Sequence, residues 1–339
     1  MTAEAAPETK EPAAGEDAPA PAAPSSVLPP KAPALWIAGV VAFVGLAELV
    51  LHVGQVSARD PSGDYATLAA SVRKEQKADD LLVFAPLWTD PVGRQAFGDL
   101  ATLDRAAFSD VTRYPRAFEV SRGGARHPDL LGFRVEAEEH AGDLTLRRLV
   151  NPGPETIVDD LLRHVGAGLE VSRHHANGKD DACPFTAGGA QAGPWDPSRP
   201  AQYYGCPGAS VGVIVLVDAG YRPRRCLFAP PFGGSDALRL RFHDVTFGKA
   251  IVGHHGLHRV HEQQKTGAPV SAAFGVDAET PDGKIAEREL GRVTHREGDG
   301  WTGFRVEVPP ALVGQKGDLF ADVTTAGASR YYCFEATTR

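Results

Sequence analysis

The segment Ala32–Val56, APALWIAGVVAFVGLAELVLHVGQV, separates a Pro- and Ala-rich tail from every part of the chain that could fold as a globule. Its only titratable side chains are Glu48 and His52. At about 1.5 Å per helical residue, the segment is long enough to cross the ~30 Å hydrocarbon core of a bilayer. We therefore predict one transmembrane helix over residues 32–56, acting as an uncleaved signal anchor of a bitopic protein.

The tail before this helix has a composition that does not fold. Residues 1–30 contain 9 Ala and 7 Pro, with five acidic residues and one lysine. Such a sequence cannot bury an apolar core, so residues 1–31 are predicted to be disordered.

The cysteines indicate the compartment. All four follow the apolar segment, and none has the C-x-x-C spacing of a zinc or redox site: Cys183, Cys206, Cys226 and Cys333. We expect disulfides, Cys183 with Cys206 and Cys226 with Cys333, in an extracytoplasmic domain of the cell envelope, periplasmic if the cell is Gram-negative. For Cys226 and Cys333, burial as free thiols is the alternative. The basic residues just after the span mildly oppose this orientation, although long domains translocate regardless of flanking charge.

Glu48 and His52 are polar residues inside the predicted span, one helical turn apart. A carboxylate in a bilayer is costly unless it is paired or reaches the interface. Both residues lie towards the C-terminal end of the span, so snorkelling to the interface is one interpretation. Contact with a partner helix is the other.

Residues 60–130 have the pattern of a small α/β segment. Apolar residues recur at helical spacing across residues 64–80, and a buried-strand pattern follows at residues 81–86. A second helix is predicted across residues 92–103 and a short strand at residues 117–120. This segment has no glycine-rich phosphate loop, so no nucleotide cofactor is expected.

Residues 131–339 are predicted to form an antiparallel, jelly-roll-like β-sandwich. Alternation of apolar and polar residues begins near Gly132, where residues 133–137 and 144–150 could pair as a hairpin, and residues 156–165 suggest a short helix. Further strand candidates are separated by Gly-, Pro- and Asp-rich turns: residues 211–217, 225–229, 238–247, 270–276, 304–308, 319–324 and 331–336. The predicted fold class is thus a single transmembrane helix plus an α+β region.

A long loop at residues 176–210 interrupts this pattern. It is rich in Gly and Pro and contains Trp195, Tyr203 and Tyr204. Loops of this length in compact domains are usually functional or stapled. Flat aromatic rings with polar edges suit the stacking of sugars, so we take these three residues as a candidate ligand-binding surface.

Two stretches resemble known families. The sequence from Asp80, DLLVFAPLW, followed by Tyr114-Pro115-Arg116-AFEVS, resembles the soluble extracytoplasmic domain of bacterial mannosyltransferase-like membrane glycosyltransferases. The transferase chemistry of that family lies in a membrane portion that this sequence does not contain, so the resemblance implies no activity.

The second resemblance covers the last part of the chain. The sequences from Gly300, GWTGFRVEV, from Gly317, GDLFADV, and from Arg330, RYYCFEA, are similar to the closing strands of galactose-binding-like β-sandwiches. The resemblance implies a jelly roll and allows a sugar-binding role.

Two motifs resemble patterns found at catalytic or metal-binding sites. Residues 208–212 match the G-x-S-x-G nucleophile elbow around Ser210, but a strand pattern follows where that motif requires a helix. Residues 253–261 contain four histidines, and Gly253 and Gly256 argue against a helix there. We expect a solvated loop at these histidines, with a zinc site as the alternative.

The function that follows is non-catalytic. A net charge of −8 without a dense Lys/Arg cluster excludes a nucleic-acid role on electrostatic grounds. No catalytic residue set, metal site or cofactor is predicted. We expect a membrane-anchored, extracytoplasmic binding or scaffold protein that recognises envelope glycan or a partner protein. The alternative is an enzyme or accessory subunit of envelope carbohydrate transfer.

Overall fold

The computed structural model describes residues 32–57, 62–188, 200–264, 267–279 and 285–339. Two compact units result, one covering Met1–Asp60 and the other Pro61–Arg339. The tail predicted to be disordered, residues 1–31, lies outside the described residues.

The first unit contains the helix α1 (Ala32–Ser57). Within it, Trp36–Val53 is long and apolar enough, by length and composition, to cross a membrane. Glu48 and His52 are exposed on this helix, one turn apart. The helix predicted over residues 32–56 is therefore present.

The second unit begins with an α/β layer. Its helices are α2 (Ser62–Glu75), α3 (Asp90–Phe97) and α4 (Leu103–Ala106). Its sheet has the order β1-β2-β4-β3, with only the pair β1 and β2 parallel. The strands are β1 (Asp80–Ala85), β2 (Arg116–Arg122), β3 (Arg134–Ala141) and β4 (Leu144–Val150). The apolar stripe of α2 packs on the sheet, since Leu68 and Val72 share a buried cluster with Phe84 and Leu146.

The β3–β4 hairpin forms as predicted, but it belongs to the α/β layer. Strand β4 pairs with β2 along its whole length, from Arg116 opposite Val150 to Arg122 opposite Leu144. The α/β layer therefore extends to Val150, beyond the boundary expected at residue 130. Alternation marks a strand, but it does not specify the partner.

The remaining strands form two sheets of a sandwich. One has the order β17-β14-β19-β11-β10-β9-β8 with β5 beside β19, and the other has the order β16-β15-β18-β13-β6-β7 with β12 beside β18. The elements are β5 (Asp159–Asp160), β6 (Leu169–His174), β7 (Asp180–Ala182), β8 (Phe185–Thr186), β9 (Tyr203–Cys206), β10 (Ala209–Val217), β11 (Pro223–Phe228), β12 (Phe232–Gly233), β13 (Ala237–Thr246), β14 (Ala250–Leu257), α5 (Arg259–Gln264), β15 (Val270–Glu279), β16 (Ile285–His295), β17 (Thr302–Glu307), β18 (Lys316–Thr325) and β19 (Tyr332–Thr338).

The core lies between the two sheets. Phe274 of β15 packs against Phe304 and Phe334 of the opposite sheet, with ring centroids 5.2 and 5.9 Å apart. The predicted fold class, an apolar helix with an α+β region and an antiparallel β-sandwich, is confirmed. The prediction of a helix over residues 156–165 is wrong, because that segment forms β5 and a single 3-10 turn, Leu161–His164.

The solvated loop expected at residues 253–261 is also wrong. Strand β14 runs through it between β17 and β19, and His255 and His258 are buried. Gly253 permits this, because a Cβ atom there would lie 2.0 Å from the backbone oxygen of Glu335. The glycine that argued against a helix thus marks a close approach between strands. Among the described residues, no three His, Cys, Asp or Glu side chains are placed to hold a metal ion.

Both expected disulfides are present. Cys183–Cys206 closes the long loop, and Cys226–Cys333 joins β11 to β19, with Cα atoms 4.7 and 5.8 Å apart. The second disulfide links neighbouring strands of one sheet. It does not bridge the two sheets, as a disulfide across the sandwich would.

Candidate functional site

The predicted aromatic surface of Trp195, Tyr203 and Tyr204 lies only in part within the described residues. Trp195 lies outside the described residues. Tyr204 is 3% exposed, and its hydroxyl lies 2.6 and 2.7 Å from the carbonyl oxygens of Gly166 and Leu169. Tyr203 is half-buried and, as the neighbouring residue of one strand, points to the opposite face of the sheet. Tyr204 is thus a core residue that cannot stack on a ligand, and the two tyrosines do not form one platform.

A concave pocket of about 500 Å³ lies where the α/β layer meets the turn between β10 and β11. We call it the junction pocket. Its walls are mainly apolar and include Leu82, Val83, Phe84, Leu87, Trp88, Leu103, Phe108 and Val217. A largely apolar concavity of this size with a few placed polar groups is the usual form of a small-ligand site.

Two aromatic side chains stand exposed at this pocket. Trp88 is 67% exposed and Tyr221 is 60% exposed. Trp88 belongs to the 3-10 turn Leu87–Thr89, which the Thr89 hydroxyl closes by donating to the carbonyl of Pro86 at 2.7 Å. Large exposed rings beside a pocket mark an interaction site more specifically than scattered apolar residues do.

Tyr221 is held in place by the turn that carries it. Its φ of 61° lies in the left-handed region, which is unfavourable for a tyrosine. The buried carboxylate of Asp218 compensates by accepting hydrogen bonds from the backbone of Gly220 and Arg222 at 2.8 and 2.9 Å. The guanidinium of Arg259 lies over the tyrosine ring, 4.7 Å from its centroid. The ring is therefore fixed before any ligand binds.

The carboxylates near the pocket are neutralised. Each is ion-paired with an arginine: Asp90 with Arg94 at 2.7 Å, Asp129 with Arg222 at 2.8 Å, and Asp218 with Arg224 at 3.0 Å. Burial raises the pKa of Asp129, but Arg222 and Arg224 outweigh it and hold that pKa below its usual value. These carboxylates are committed to the pocket wall, so they do not offer the acid/base pair that hydrolytic chemistry requires.

His127 supplies a polar group inside the pocket. It is 4% exposed, and burial lowers its pKa to about 4, so the imidazole is neutral at pH 7. Its Nδ1 accepts from the backbone N–H of Asp129 at 3.3 Å, which assigns the hydrogen to Nε2. A neutral donor in an apolar pocket suits a hydroxyl or carbonyl oxygen.

The sequence reasoning missed this site. Trp88 lies in the stretch from Asp80 that carries a family resemblance, and Tyr221 lies between the strand candidates at residues 211–217 and 225–229. The available signal was weak: an aromatic residue one position after Pro86-Leu87, and another after Asp218-Ala219-Gly220. Ser210 lies within β10, opposite Gly205, and so does not occupy a strand-to-helix elbow.

No protein-family model and no curated protein matches this chain. Among solved structures, it is similar to the xylan-binding domain of family 22 from Paenibacillus barcinonensis, with 14% identity, a TM-score of 0.27, and coverage of 45% of this chain and 94% of that one. It is also similar to carbohydrate-binding modules of the β-sandwich superfamily described for their promiscuous specificity, with 9% identity, a TM-score of 0.31, and coverage of 57% and 66%.

A third similar structure is the two-module Clostridium thermocellum xylanase with xylohexaose, with 9% identity and a TM-score of 0.26; the match covers 38% of this chain and 24% of that one. These neighbours are β-sandwich carbohydrate-binding proteins and give no support to the glycosyltransferase resemblance. At these TM-scores the likeness is limited, and it transfers neither ligand nor site residues to this chain.

Proposed function

We propose that the protein is a membrane-anchored, extracytoplasmic, non-catalytic binding protein whose ligand, an envelope glycan, occupies the junction pocket. The observation that carries this proposal is the presence of two exposed aromatic rings, Trp88 and Tyr221, beside a pocket whose carboxylates are ion-paired. Rings of this kind stack on the apolar faces of sugars, and paired carboxylates are poor catalysts.

The compartment is supported by two further features. One helix is long and apolar enough to anchor the chain, and two disulfides suit an oxidising environment. Peptide mapping of protein extracted from its native membrane without reductant tests this part. Bridged Cys183–Cys206 and Cys226–Cys333 peptides are expected, whereas four free thiols would contradict the extracytoplasmic location.

Binding is tested with the full chain in detergent, passed over immobilised polysaccharides extracted from the cell envelope, with xylan, cellulose and chitin for comparison. Trp88→Ala and Tyr221→Ala should each reduce retention on the polysaccharide that binds, because each removes a stacking face. We expect about a tenfold weaker affinity per ring, or about 1.4 kcal/mol. Val313→Ala, at a residue 39% exposed that does not line the pocket, is the control and should bind like the wild type.

The loop prediction is tested in the same series. Phe185 is 40% exposed beside the stapled loop, with its ring centroid 4.9 Å from that of Tyr204. Loss of retention in Phe185→Ala, with normal retention in Trp88→Ala, would move the binding surface from the pocket to the loop around Tyr203 and Trp195. Turnover of a polysaccharide by the wild type would instead favour an enzyme of carbohydrate metabolism.

A further inference from the structure

Two adjoining hollows on the sandwich form a second concave surface. One, of about 320 Å³, includes Gln202 and Val213, and the other, of about 350 Å³, includes Asp160 and Glu335. Leu162 and Arg225 line both hollows, which makes them one elongated groove. We call this the arginine groove. It is distinct from the junction pocket, with which the two hollows share only Phe108 among their lining residues.

The groove carries an excess of positive charge in an acidic protein. Arg113, Arg163 and Arg225 line it. Arg113 pairs with Asp160 at 3.3 Å, whereas neither Arg163 nor Arg225 is ion-paired with a carboxylate among the described residues. Elsewhere on the chain, whose net charge is −8, most arginines have such a partner. Two unpaired guanidiniums at one groove are therefore available to an external anion.

The other carboxylates at the groove do not cancel this charge. Asp110 is in contact with the guanidinium of Arg339, which also pairs with Glu155 at 2.7 Å, so the charge of Asp110 is offset within the wall of the groove. Glu335 is 3% exposed and its Oε1 lies 2.9 Å from Nδ1 of His254. Burial raises the pKa of Glu335, which favours the uncharged form of its carboxyl group. Among the described residues, nothing donates to its second oxygen.

Two hydrogen bonds hold the backbone of Arg225 in place. Its N–H donates to the carbonyl of Ala107 at 2.8 Å, and its carbonyl accepts from the Ser109 hydroxyl at 2.6 Å. Arg163 stands on the 3-10 turn Leu161–His164, which the side chain of Asp160 caps by accepting from the backbone of Leu162. Both arginines thus project from ordered backbone and line a hollow that the buried Glu335 also lines.

We propose that the arginine groove binds an oligosaccharide that carries carboxylate groups, with its carboxylates at Arg163 and Arg225 and its hydroxyls at Asp160 and Glu335. Guanidinium groups bind carboxylates in bidentate geometry, and carboxyl oxygens accept from sugar hydroxyls. Two hollows of about 320 and 350 Å³ that share Leu162 and Arg225 have room for a chain of rings, which a single ion would not fill. The inference extends the proposed glycan-binding function to a second site and names its ligand class.

The test uses the full chain in detergent and a linear tetragalacturonate as the probe, with the neutral maltotetraose and a tetraglutamate peptide for comparison. The wild type should bind tetragalacturonate more tightly than either comparison ligand. The double variant Arg163→Gln/Arg225→Gln should weaken this binding at least tenfold. Arg288→Gln, at an exposed arginine outside the groove, removes the same kind of charge and should leave binding within twofold.

Three results would overturn the proposal: no binding of tetragalacturonate at millimolar concentration, equal binding by the double variant, or equal binding of tetraglutamate, which would indicate charge without sugar recognition. Trp88→Ala separates the two sites. If tetragalacturonate binding survives Trp88→Ala while retention on neutral polysaccharide is lost, both proposals stand. If only tetragalacturonate fails to bind, the arginine groove is refuted and the junction pocket stands. If only the neutral polysaccharide fails to bind, the junction pocket is refuted and the arginine groove stands.

Discussion

Replacing Glu262 by Gln should strongly destabilise the sandwich, although the change removes no volume. Glu262 is 3% exposed on α5, and three donors point at its carboxylate. Oε1 accepts from His295 Nε2 at 2.6 Å and from the Leu257 N–H at 3.1 Å, and Oε2 accepts from the Gly298 N–H at 2.7 Å. An amide has one acceptor oxygen, so either orientation places its NH₂ group against a backbone N–H: that of the exposed Gly298 or that of the buried Leu257.

The magnitude follows from this count. In the less costly orientation the N–H of Gly298 loses its acceptor, which costs about 1 kcal/mol, and the bonds from His295 and Leu257 each lose about 1 kcal/mol because their acceptor is no longer charged. We expect a decrease of about 3 kcal/mol in the free energy of unfolding, and hence a fall in Tm of roughly 6–12 °C for a unit of this size.

Thermal unfolding followed by near-ultraviolet circular dichroism of the full chain measures the effect. Glu289→Gln is the matched control, because the same change at an exposed pair with Arg292 should cost less than about 0.5 kcal/mol. If Glu262→Gln melts within 1 °C of the wild type, the carboxylate does not hold α5 to the sheets in the way these contacts imply.

Three further predictions concern stability. Removing Cys226–Cys333 by a double Cys→Ala change should lower the free energy of unfolding by about 5 kcal/mol, because this disulfide closes a loop of 107 residues. Removing Cys183–Cys206, which closes a loop of 23 residues, should lower it by about 3 kcal/mol. Urea midpoints in the reverse order would contradict the loop-closure argument. The pKa of His127 is about 4 in the folded protein, and that of an unfolded histidine is about 6.5. Between these pH values the unfolded chain binds one more proton than the folded protein. The free energy of unfolding should therefore fall by about 3 kcal/mol as the pH drops from 6.5 to 4. His127→Gln should flatten this part of the profile, measured by urea unfolding at several pH values, and an unchanged slope would show that the imidazole is not buried and neutral. Gly253→Ala should lower the free energy of unfolding by at least about 3 kcal/mol, because its Cβ would lie 2.0 Å from a backbone oxygen. Gly303→Ala, whose Cβ would lie 3.4 Å from the His254 ring, should lower it far less. Equal melting temperatures for the two variants would refute the close approach of β14 and β19.

Local pattern was sufficient for much of the fold. The helical spacing of Tyr65, Leu68 and Val72 predicted α2 and its buried face, because those contacts are a property of a single helix. Strand patterns between Gly-, Pro- and Asp-rich turns predicted β10, β13 and β18, and the positions of the cysteines in the long loop and in predicted strands indicated the observed disulfides.

Non-local contacts were out of reach. The pairing of β4 with β2 depends on residues more than twenty positions apart. In β14, Gly253 lies where β19 approaches closely and Gly256 lies against Trp301, and the local sequence signals neither contact. The junction pocket combines the end of β1 with the β10–β11 turn, so neither segment signals it alone. The composition of the loop at residues 176–210 predicted a binding surface, yet Tyr204 packs in the core.

Fluorine NMR of the full chain labelled with 5-fluorotryptophan tests the central claim most directly. The four tryptophans give four signals, and Trp88→Phe identifies the one at the junction pocket. Addition of the polysaccharide fragment that the protein retains should shift the Trp88 signal and leave those of Trp36 and Trp301 in place. A ligand that binds without moving the Trp88 signal, or that shifts the Trp195 signal instead, would contradict the junction pocket as the glycan site.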